Sequence, residues 1–255
     1  MSRSNPTETG RNPAKRWFEW AGGGDGGYVS WYDKDNKQEV RCPDKFTFLL
    51  LDELSSVKGW HDASESAIYS NEVRDTRQDV LVVKAFKGGE LASGLYPAIR
   101  DRVKAMGGRF HNSCYIAFKD GDGTMKLGNL GFKGAVVRDW MEFKKTCPTK
   151  KDANGKTVKA YYVDAICIDG FKDGKKGSIK FRTPIFTLKP VGAETNTAAV
   201  ALDAELQAFL SDYLKRTRTD AAAVTAKTEA PAPAVDQQAE EAPPADTFQD
   251  DDIPF

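Results

Sequence analysis

The feature of this sequence that most constrains its fold is a change of composition after Arg216. Residues 217–249 are rich in Ala, Pro, Thr, Gln and acidic residues, and they contain almost no large apolar side chain. Such a segment cannot bury enough apolar surface to offset the entropy lost on ordering, so it is predicted to be a disordered acidic linker. Residues 1–15 are polar and are predicted to be a flexible N-terminus. The folded domain is therefore expected to lie within residues 16–216.

Charge divides the chain at the same place. The whole sequence has 37 basic and 37 acidic residues and a net charge of zero. Residues 217–255 contain two basic and nine acidic residues, a net charge of −7, whereas residues 1–216 contain 35 basic and 28 acidic residues, a net charge of +7. A basic domain followed by an acidic tail indicates a body that binds a polyanion and a tail that does not.

Short β-type runs dominate the predicted domain. Apolar, aromatic and β-branched residues predict ten strands, at residues 16–21, 28–32, 46–54, 57–62, 67–73, 80–87, 113–119, 124–130, 158–168 and 177–182. Helical periodicity predicts three helices, at residues 95–106, 135–145 and 199–216. Many short strands, Gly-rich turns and few helices favour a mainly β fold, either a barrel or a sandwich.

Several common kinds of site are not supported. Gly22, Gly24 and Gly27 fit a G-x-G-x-x-G pattern, but a strand follows them where a dinucleotide site needs a helix, so the run is interpreted as a flexible hairpin loop. The sequence starting Asp120-Gly-Asp122-Gly lacks the acidic residue of an EF-hand at its twelfth position. No metal site and no cofactor are predicted, because the four cysteines and two histidines lack ligand spacing.

The candidate binding residues are aromatic and basic side chains on strands and basic loops. Lys84 and Phe86 share one face of a predicted strand, and a ring beside a cation suits base stacking next to a phosphate. Two lysine-bearing segments, residues 144–159 and 172–176, are predicted to be a loop and a turn that could clamp a phosphate backbone. For each ring taken alone, packing in the core remains the alternative. The DNA-binding candidates are Trp31, Trp60, Lys84, Phe86, Arg109, Phe110, Tyr115, Lys119, Lys180 and Arg182.

The last six residues carry the most specific signal. An acidic run is followed by Ile-Pro-Phe at the chain end, and Phe248 lies just upstream; the six residues are Asp250, Asp251, Asp252, Ile253, Pro254 and Phe255. This ending resembles the C-terminal tip of bacterial single-stranded DNA-binding proteins. The resemblance implies an OB-like β-barrel core and a tip that binds replication and repair enzymes. The body departs from the usual family member, because its domain starts later and the chain is longer, and a bacteriophage-encoded relative fits this departure.

The expected function is therefore sequence-nonspecific binding of single-stranded DNA, which protects it during replication, recombination and repair, without catalysis. One alternative is a nuclease-like enzyme using the carboxylates of Asp52–Glu53, Asp120–Asp122 or Asp164–Asp169. Another is a mimic of the tip that inhibits host repair proteins. The absence of a long apolar run and of a signal peptide, with few cysteines, predicts a cytoplasmic protein. The sequence leaves a homo-oligomer open.

Overall fold

The computed structural model of the protein describes residues 11–152 and 155–228. These residues form thirteen strands and three α-helices. The strands are β1 Arg16–Ala21, β2 Tyr28–Asp33, β3 Gln38–Arg41, β4 Lys45–His61, β5 Ser66–Ser70, β6 Leu81–Ala85, β7 Gly89–Gly94, β8 Gly108–Lys119, β9 Met125–Lys133, β10 Thr149–Lys151, β11 Thr157–Lys159, β12 Ala165–Lys176 and β13 Ile179–Lys189. The helices are α1 Tyr96–Ala105, α2 Ala135–Thr146 and α3 Ala193–Thr228.

Eleven of these strands form one sheet, so the predicted mainly β class is confirmed. Its main path runs β3-β2-β1-β9-β8-β4-β5-β6-β7, and the β12–β13 hairpin branches from it at β4. The β1–β9 pair is parallel and the other pairs are antiparallel. The path is open, and within the described residues no closed barrel is found. No helix among the described residues is long and apolar enough to cross a membrane.

The long strand β4 is the element from which the sheet divides. It pairs with β8 along most of its length, with an irregularity between Leu50 and Asp52. On its other edge, β4 pairs first with β12, through residues 45–48, and then with β5, through residues 58–61. The sequence predicted two separate strands here, at residues 46–54 and 57–62. They are one continuous strand, because Ser55 and Ser56 between them pair with Asn112 and His111 of β8.

The inner face of the sheet carries two hydrophobic clusters. The larger one packs under α2, where Val136, Val137 and Trp140 are buried against Phe132 and other rings of the sheet. The smaller one packs under α1, which contributes Tyr96, Ile99 and Val103. The sequence-based positions of both helices are confirmed to within a residue at each end.

Helix α3 covers part of the opposite face, which we call the outer face. Leu206 and Leu210 are fully buried against Leu54, Tyr115 and Leu127 of the sheet. The predicted helix was too short at both ends, and residues 217–228, which were assigned to a disordered linker, continue the helix. The remainder of the predicted linker lies outside the described residues.

Helix α3 is tied to the segment between β5 and β6 at two positions, one on each side of Arg216. The Tyr213 hydroxyl accepts a hydrogen bond of 2.8 Å from the backbone N–H of Glu72. Arg218 forms an ion pair of 2.9 Å with the largely buried Asp79. Two residues beyond Arg216, the helix therefore still has a partner in this segment.

The glycine run of residues 22–27 joins the antiparallel strands β1 and β2, so the predicted hairpin loop is confirmed, and this loop is anchored to β13. The Arg182 backbone N–H donates to Gly22 O at 2.7 Å, and Trp20 Nε1 donates to Arg182 O at 2.8 Å. A single β-bridge links Gly23 to Phe181. A Cβ atom at Gly22 would lie 2.5 Å from Arg182 O, so this close approach of β1 and β13 requires glycine.

Three predictions near the lysine-rich segments were wrong. The predicted loop at residues 144–159 contains the end of α2 and the β10–β11 hairpin. The strand predicted at residues 158–168 is interrupted by a 3₁₀ turn, Ala160–Tyr162. Residues 172–176 belong to β12 instead of forming a turn, and Ile179 of β13 is 69% exposed. Both features arise because β12 pairs with β4 only through residues 166–169, so the end of the β12–β13 hairpin projects beyond the rest of the sheet.

Candidate nucleic-acid interface

The uncovered part of the outer face carries a row of four side chains on four adjacent strands. Arg109 of β8 pairs with Lys58 of β4, Lys58 pairs with Tyr69 of β5, and Tyr69 pairs with Lys84 of β6. Directly paired residues lie on the same face of a sheet about 5 Å apart. All four are exposed. The structure thus places one ring between cations, in a line across the strands, which we call the cationic row.

A second row of exposed groups lies beside the cationic row. Trp60 of β4 pairs with Ala67 of β5, and the backbone N–H of Phe86 donates to Ala67 O at 3.0 Å. Trp60 is 55% exposed and Phe86 is 78% exposed. Trp60 lies two residues from Lys58 on β4, so its ring is on the same face as Tyr69, and Phe86 follows Ala85 in the turn after β6.

The aromatic surface continues across the sheet to β1 and β2. Seven large aromatic side chains among the described residues are exposed, and four of them lie on the outer face by register: Trp17, Tyr32, Trp60 and Tyr69. Lys34 Nζ lies 5.9 Å from the centroid of the Trp17 ring, and the Arg41 guanidinium lies 4.6 Å from that of Tyr28. Exposed rings are thus concentrated on the face that also carries cations.

Lys58, at the centre of this surface, has a lowered pKa. Although its side chain reaches solvent, surrounding protein atoms desolvate the ammonium, and this burial lowers the pKa of Lys58. Lys133 lowers the pKa further, while Glu19 and Glu72 oppose the change. Lys133 is itself paired with Glu19 at 3.2 Å, both groups being exposed. An incoming phosphate would supply Lys58 with a counter-ion.

Beneath these cations lies a buried histidine, His111. Its Nδ1 lies 3.2 Å from Ser56 Oγ, and Nε2 has no hydrogen-bond partner. Burial, aided by Lys58 and Lys133, lowers the pKa of His111 to about 3. The imidazole is therefore neutral at physiological pH and adds no charge to the surface above it.

Four of the ten predicted DNA-binding residues come together on this surface: Trp60, Lys84, Phe86 and Arg109. Arg109 Nη1 is anchored by Lys104 O and Gly108 O, at 3.1 and 2.8 Å. Lys84 is exposed, in register with Tyr69. Trp60, Lys84 and Arg109 share the outer face by register, and Phe86 is exposed in the turn directly after β6.

Four other candidates do not lie on the uncovered surface. Trp31 and Phe110 point to the inner face and pack against the hydrophobic clusters, with the Arg16 guanidinium 4.2 Å from the Trp31 ring. Tyr115 is fully buried under α3, so its prediction as a stacking residue was wrong. Lys119 is exposed at the far end of β8, beyond α3.

The last two candidates, Lys180 and Arg182, lie on the projecting end of the β12–β13 hairpin, residues 171–182, which we call the basic arm. Arg182 donates to Asp173 Oδ1 at 3.1 Å and to Gly26 O at 2.6 Å, and its guanidinium lies 4.3 Å from the Phe171 ring centroid. Arg182 thus fastens the arm to the glycine run. Lys180 is exposed on the arm, paired with Lys175.

The lysine-rich segment at residues 144–159 is less available for phosphate than its sequence indicates. Lys144 forms an ion pair of 2.5 Å with Glu53, and Lys150 is paired with the buried Asp164. Lys159 donates to the carbonyl oxygens of Lys145 and Cys147. Three of the six lysines in this segment therefore serve internal contacts.

Sequence reasoning missed Trp17, Lys58 and Tyr69. A signal for Lys58 was present, because Lys58 and the candidate Trp60 alternate on one predicted strand as Lys84 and Phe86 do on another. What the sequence did not supply was the register that sets these strands side by side. Trp17 could not be separated from Trp20, which is buried one face away on the same strand.

The carboxylates considered for catalysis are engaged with cations. Asp52 accepts a bidentate pair from Arg74, at 2.8 and 2.7 Å. Asp120 contacts Arg16 at 2.5 Å and Lys126 at 2.6 Å. Within residues 11–152 and 155–228, no group of three or more His, Cys, Asp or Glu side chains could hold a metal ion.

The predicted partner-binding tip, residues 250–255, lies outside the described residues. Comparison of the chain with protein-family models, with curated proteins and with solved structures found no match.

Proposed function

We propose that this protein binds single-stranded DNA without strong sequence preference and without catalysis. The observation that carries the proposal is the cationic row, in which Tyr69 lies in register between Lys58 and Lys84 on a surface that also exposes Trp60 and Phe86. Single-strand binders combine these two features, a cationic track for the phosphates and aromatic rings for the bases.

Each feature has a separate job in the proposed complex. Bases that have left a duplex expose their π-faces, and stacking of one base on a ring contributes roughly 1–3 kcal/mol whatever the base. Lys58, Lys84 and Arg109 neutralise phosphates and release counter-ions. A duplex keeps its bases stacked on one another, so it can use the cations of the outer face but not the rings.

We also propose that the larger cluster is the core of an OB-like barrel. Strands β1, β9, β8, β4, β12 and β13 are consecutive neighbours, and the Gly23–Phe181 bridge brings β13 back to the end of β1. A ring of strands joined at one bridge is a partly open barrel, as OB-folds are. The side chains of this cluster come from all six strands.

The C-terminal tip is proposed to recruit replication and repair enzymes. The support is its sequence alone: three aspartates followed by Ile253, Pro254 and Phe255. An apolar chain end would enter a pocket of the partner while the acids meet a basic rim. Phe255→Ala is expected to abolish recovery of such enzymes in a pull-down while leaving the affinity for DNA unchanged.

The direct test of the proposed function is a titration with fluorescent single-stranded and duplex DNA of equal length at several salt concentrations. We expect tighter binding of the single strand, with affinity falling as salt rises by a log–log slope of about −0.7 for each phosphate contact. Equal affinity for the two forms, or a flat salt profile, would count against the proposal. Incubation of the same DNA with magnesium should leave it intact, and its degradation would favour the nuclease alternative.

A further inference from the structure

A cleft of about 310 Å³ runs along the flank of α3 on the outer face. Trp17 and Tyr69 lie at its two ends, and Phe209 and Tyr213 of α3 line one side. Strands β1, β9, β8, β4 and β5 are consecutive, so the two ends are four interstrand spacings apart, about 19 Å. Lys58 and Tyr69 belong both to the cleft and to the cationic row, so a strand lying on the row reaches the cleft.

The floor of the cleft is a hydrogen-bonded polar cluster. The Tyr115 hydroxyl donates to Glu72 Oε2 at 2.7 Å and accepts from Asn12 Nδ2 at 3.1 Å. Asn129, directly across from Tyr115 on β9, donates through Nδ2 to Ser113 Oγ at 2.7 Å. Burial and the Glu72 carboxylate raise the pKa of Tyr115, so its hydroxyl stays protonated and continues to donate to Glu72.

These bonds leave two acceptor oxygens on the floor. Among the hydrogen bonds of the described residues, none involves Glu72 Oε1 or Asn129 Oδ1. A carboxylate and an amide carbonyl oxygen only accept hydrogen bonds. A group that enters the cleft and satisfies both must therefore donate, and it must not be an anion.

Nucleobases differ in this respect. Cytosine presents the N4 amine, a donor, where thymine and uracil present the O4 carbonyl, an acceptor, and adenine and guanine also carry amines. An amine has two N–H donors and can satisfy both the Glu72 carboxylate and the Asn129 carbonyl oxygen. Thymine and uracil offer only one donor on this edge, N3–H, and it lies between carbonyl oxygens that would face these acceptors. The phosphates would stay outside, on Lys58, because the carboxylate repels them.

We propose that the cleft takes one base of the bound strand edge-first and selects bases that carry an exocyclic amine over thymine, with Glu72 and Asn129 as the selecting residues. This inference rests on the proposed function, since it names the class of base that one subsite of the same surface accepts. The remaining bases of the strand stack on the exposed rings without selection. The protein is thus nonspecific along most of the strand and selective at one position.

The test compares oligodeoxycytidine with oligodeoxyuridine of equal length, because these pyrimidines differ at the exocyclic position and neither has the thymine methyl group. Affinities are measured by competition at neutral pH and fixed salt, for the unaltered protein and for Glu72→Gln, which keeps the shape and one oxygen. We expect the unaltered protein to prefer the deoxycytidine strand by about tenfold, the factor that corresponds to about 1.4 kcal/mol. In Glu72→Gln the preference should fall below about twofold, with tighter binding of the deoxyuridine strand.

Glu90→Gln is the matched control, because Glu90 is an exposed glutamate of β7 outside the cleft and should leave the ratio unchanged. If the unaltered protein binds both strands equally, the selective subsite is refuted while the proposed function stands. If it binds neither strand, the proposed function itself fails. If Glu72→Gln keeps the full preference while losing only stability, the polar cluster does no more than dock α3, and the inference is overturned.

Discussion

The outer face has two halves, one under α3 and one open to solvent, and the same kinds of residue line both. Under the helix, Tyr115 and Leu54 are buried against Leu206 and Leu210. A few residues along the same strands, Lys58 and Trp60 are exposed, and Arg109 follows the same face of β8. Strand alternation is identical in the two halves, so the sequence of the strands does not decide which aromatic is core and which is surface. That decision belongs to α3, an element more than seventy residues further along the chain.

The largest effect is expected for a substitution in the covered half, at the contact between α3 and the sheet. Leu206→Ala removes a fully buried side chain from the helix–sheet contact and should lower the free energy of unfolding by about 2–5 kcal/mol. Val200→Ala, at an exposed position of the same helix, should change it by less than about 0.5 kcal/mol. Denaturant unfolding measures both, and similar losses for the two variants would mean that α3 is not held by its buried stripe.

The free energy of unfolding should depend on pH through His111, which lies at the boundary between the two halves. The pKa of this histidine is about 3 in the folded protein and near 6.5 in the unfolded chain, so only the unfolded chain takes up a proton as pH falls from 6.5 towards 3. Stability is therefore fully present above pH 6.5, and about 2 kcal/mol of it should be lost by pH 5.

His111→Gln should remove this slope between pH 6.5 and 5, whatever its effect on absolute stability, and His61→Gln should keep it. Carboxylates with a lowered pKa, such as Asp122 at about 2, lose their contribution to stability only at lower pH. They therefore do not affect the slope between pH 6.5 and 5. A slope that persists in His111→Gln would assign the pH dependence to another group.

On the open side, the rings should matter for binding and not for folding. Trp60→Ala should weaken binding of single-stranded DNA by roughly 1–3 kcal/mol, because one stacking ring is lost. Tyr162→Ala is the matched control, since Tyr162 is equally exposed but lies on the 3₁₀ turn away from the rows. Fluorescence titration measures the affinity for DNA, and denaturant unfolding should show unchanged midpoints for both variants. Equal losses of affinity in the two variants would contradict the proposed surface.

The smallest effect is expected for single cations. Lys84→Gln should reduce the steepness of the log–log salt dependence by about 0.7, the amount for one phosphate contact on a single strand. Lys176→Gln, on the basic arm, should leave the slope unchanged if DNA follows the cationic row. If Lys176→Gln reduces the slope and Lys84→Gln does not, the DNA follows the basic arm instead of the cationic row.

How much of this could be predicted from the sequence depended on the range of the interaction. Alternation identified most strands and placed Lys84 and Phe86 on one face, because that pattern is local. Helical periodicity, which is equally local, placed α2 to within a residue at each end. Register is not local, so the pairing of Lys58 with Tyr69, which creates the cationic row, was not foreseen.

The errors in the candidate site have the same origin. Phe110 and Tyr115 lie on one strand, one facing the inner clusters and the other facing α3, and only the packed elements reveal that both are covered. Lysines 144, 150 and 159 were counted as available because their carboxylate and carbonyl partners are distant in sequence. Arg182 was expected to hold phosphate, but it fastens two parts of the fold together.

The contact between the glycine run and β13 has a consequence for how the protein folds during synthesis. Its hydrogen bond from Trp20 to Arg182 joins residues 162 positions apart, so the two sides are synthesised far from each other in time. A nascent chain cannot close this contact until Arg182 has left the ribosome, and until then the rings of the larger cluster lack their cover from β12 and β13. Contacts this distant in sequence also slow folding, because a long loop must be closed before they form. Glycine at position 22 keeps that late step free of steric conflict, since any side chain there would meet the arriving strand.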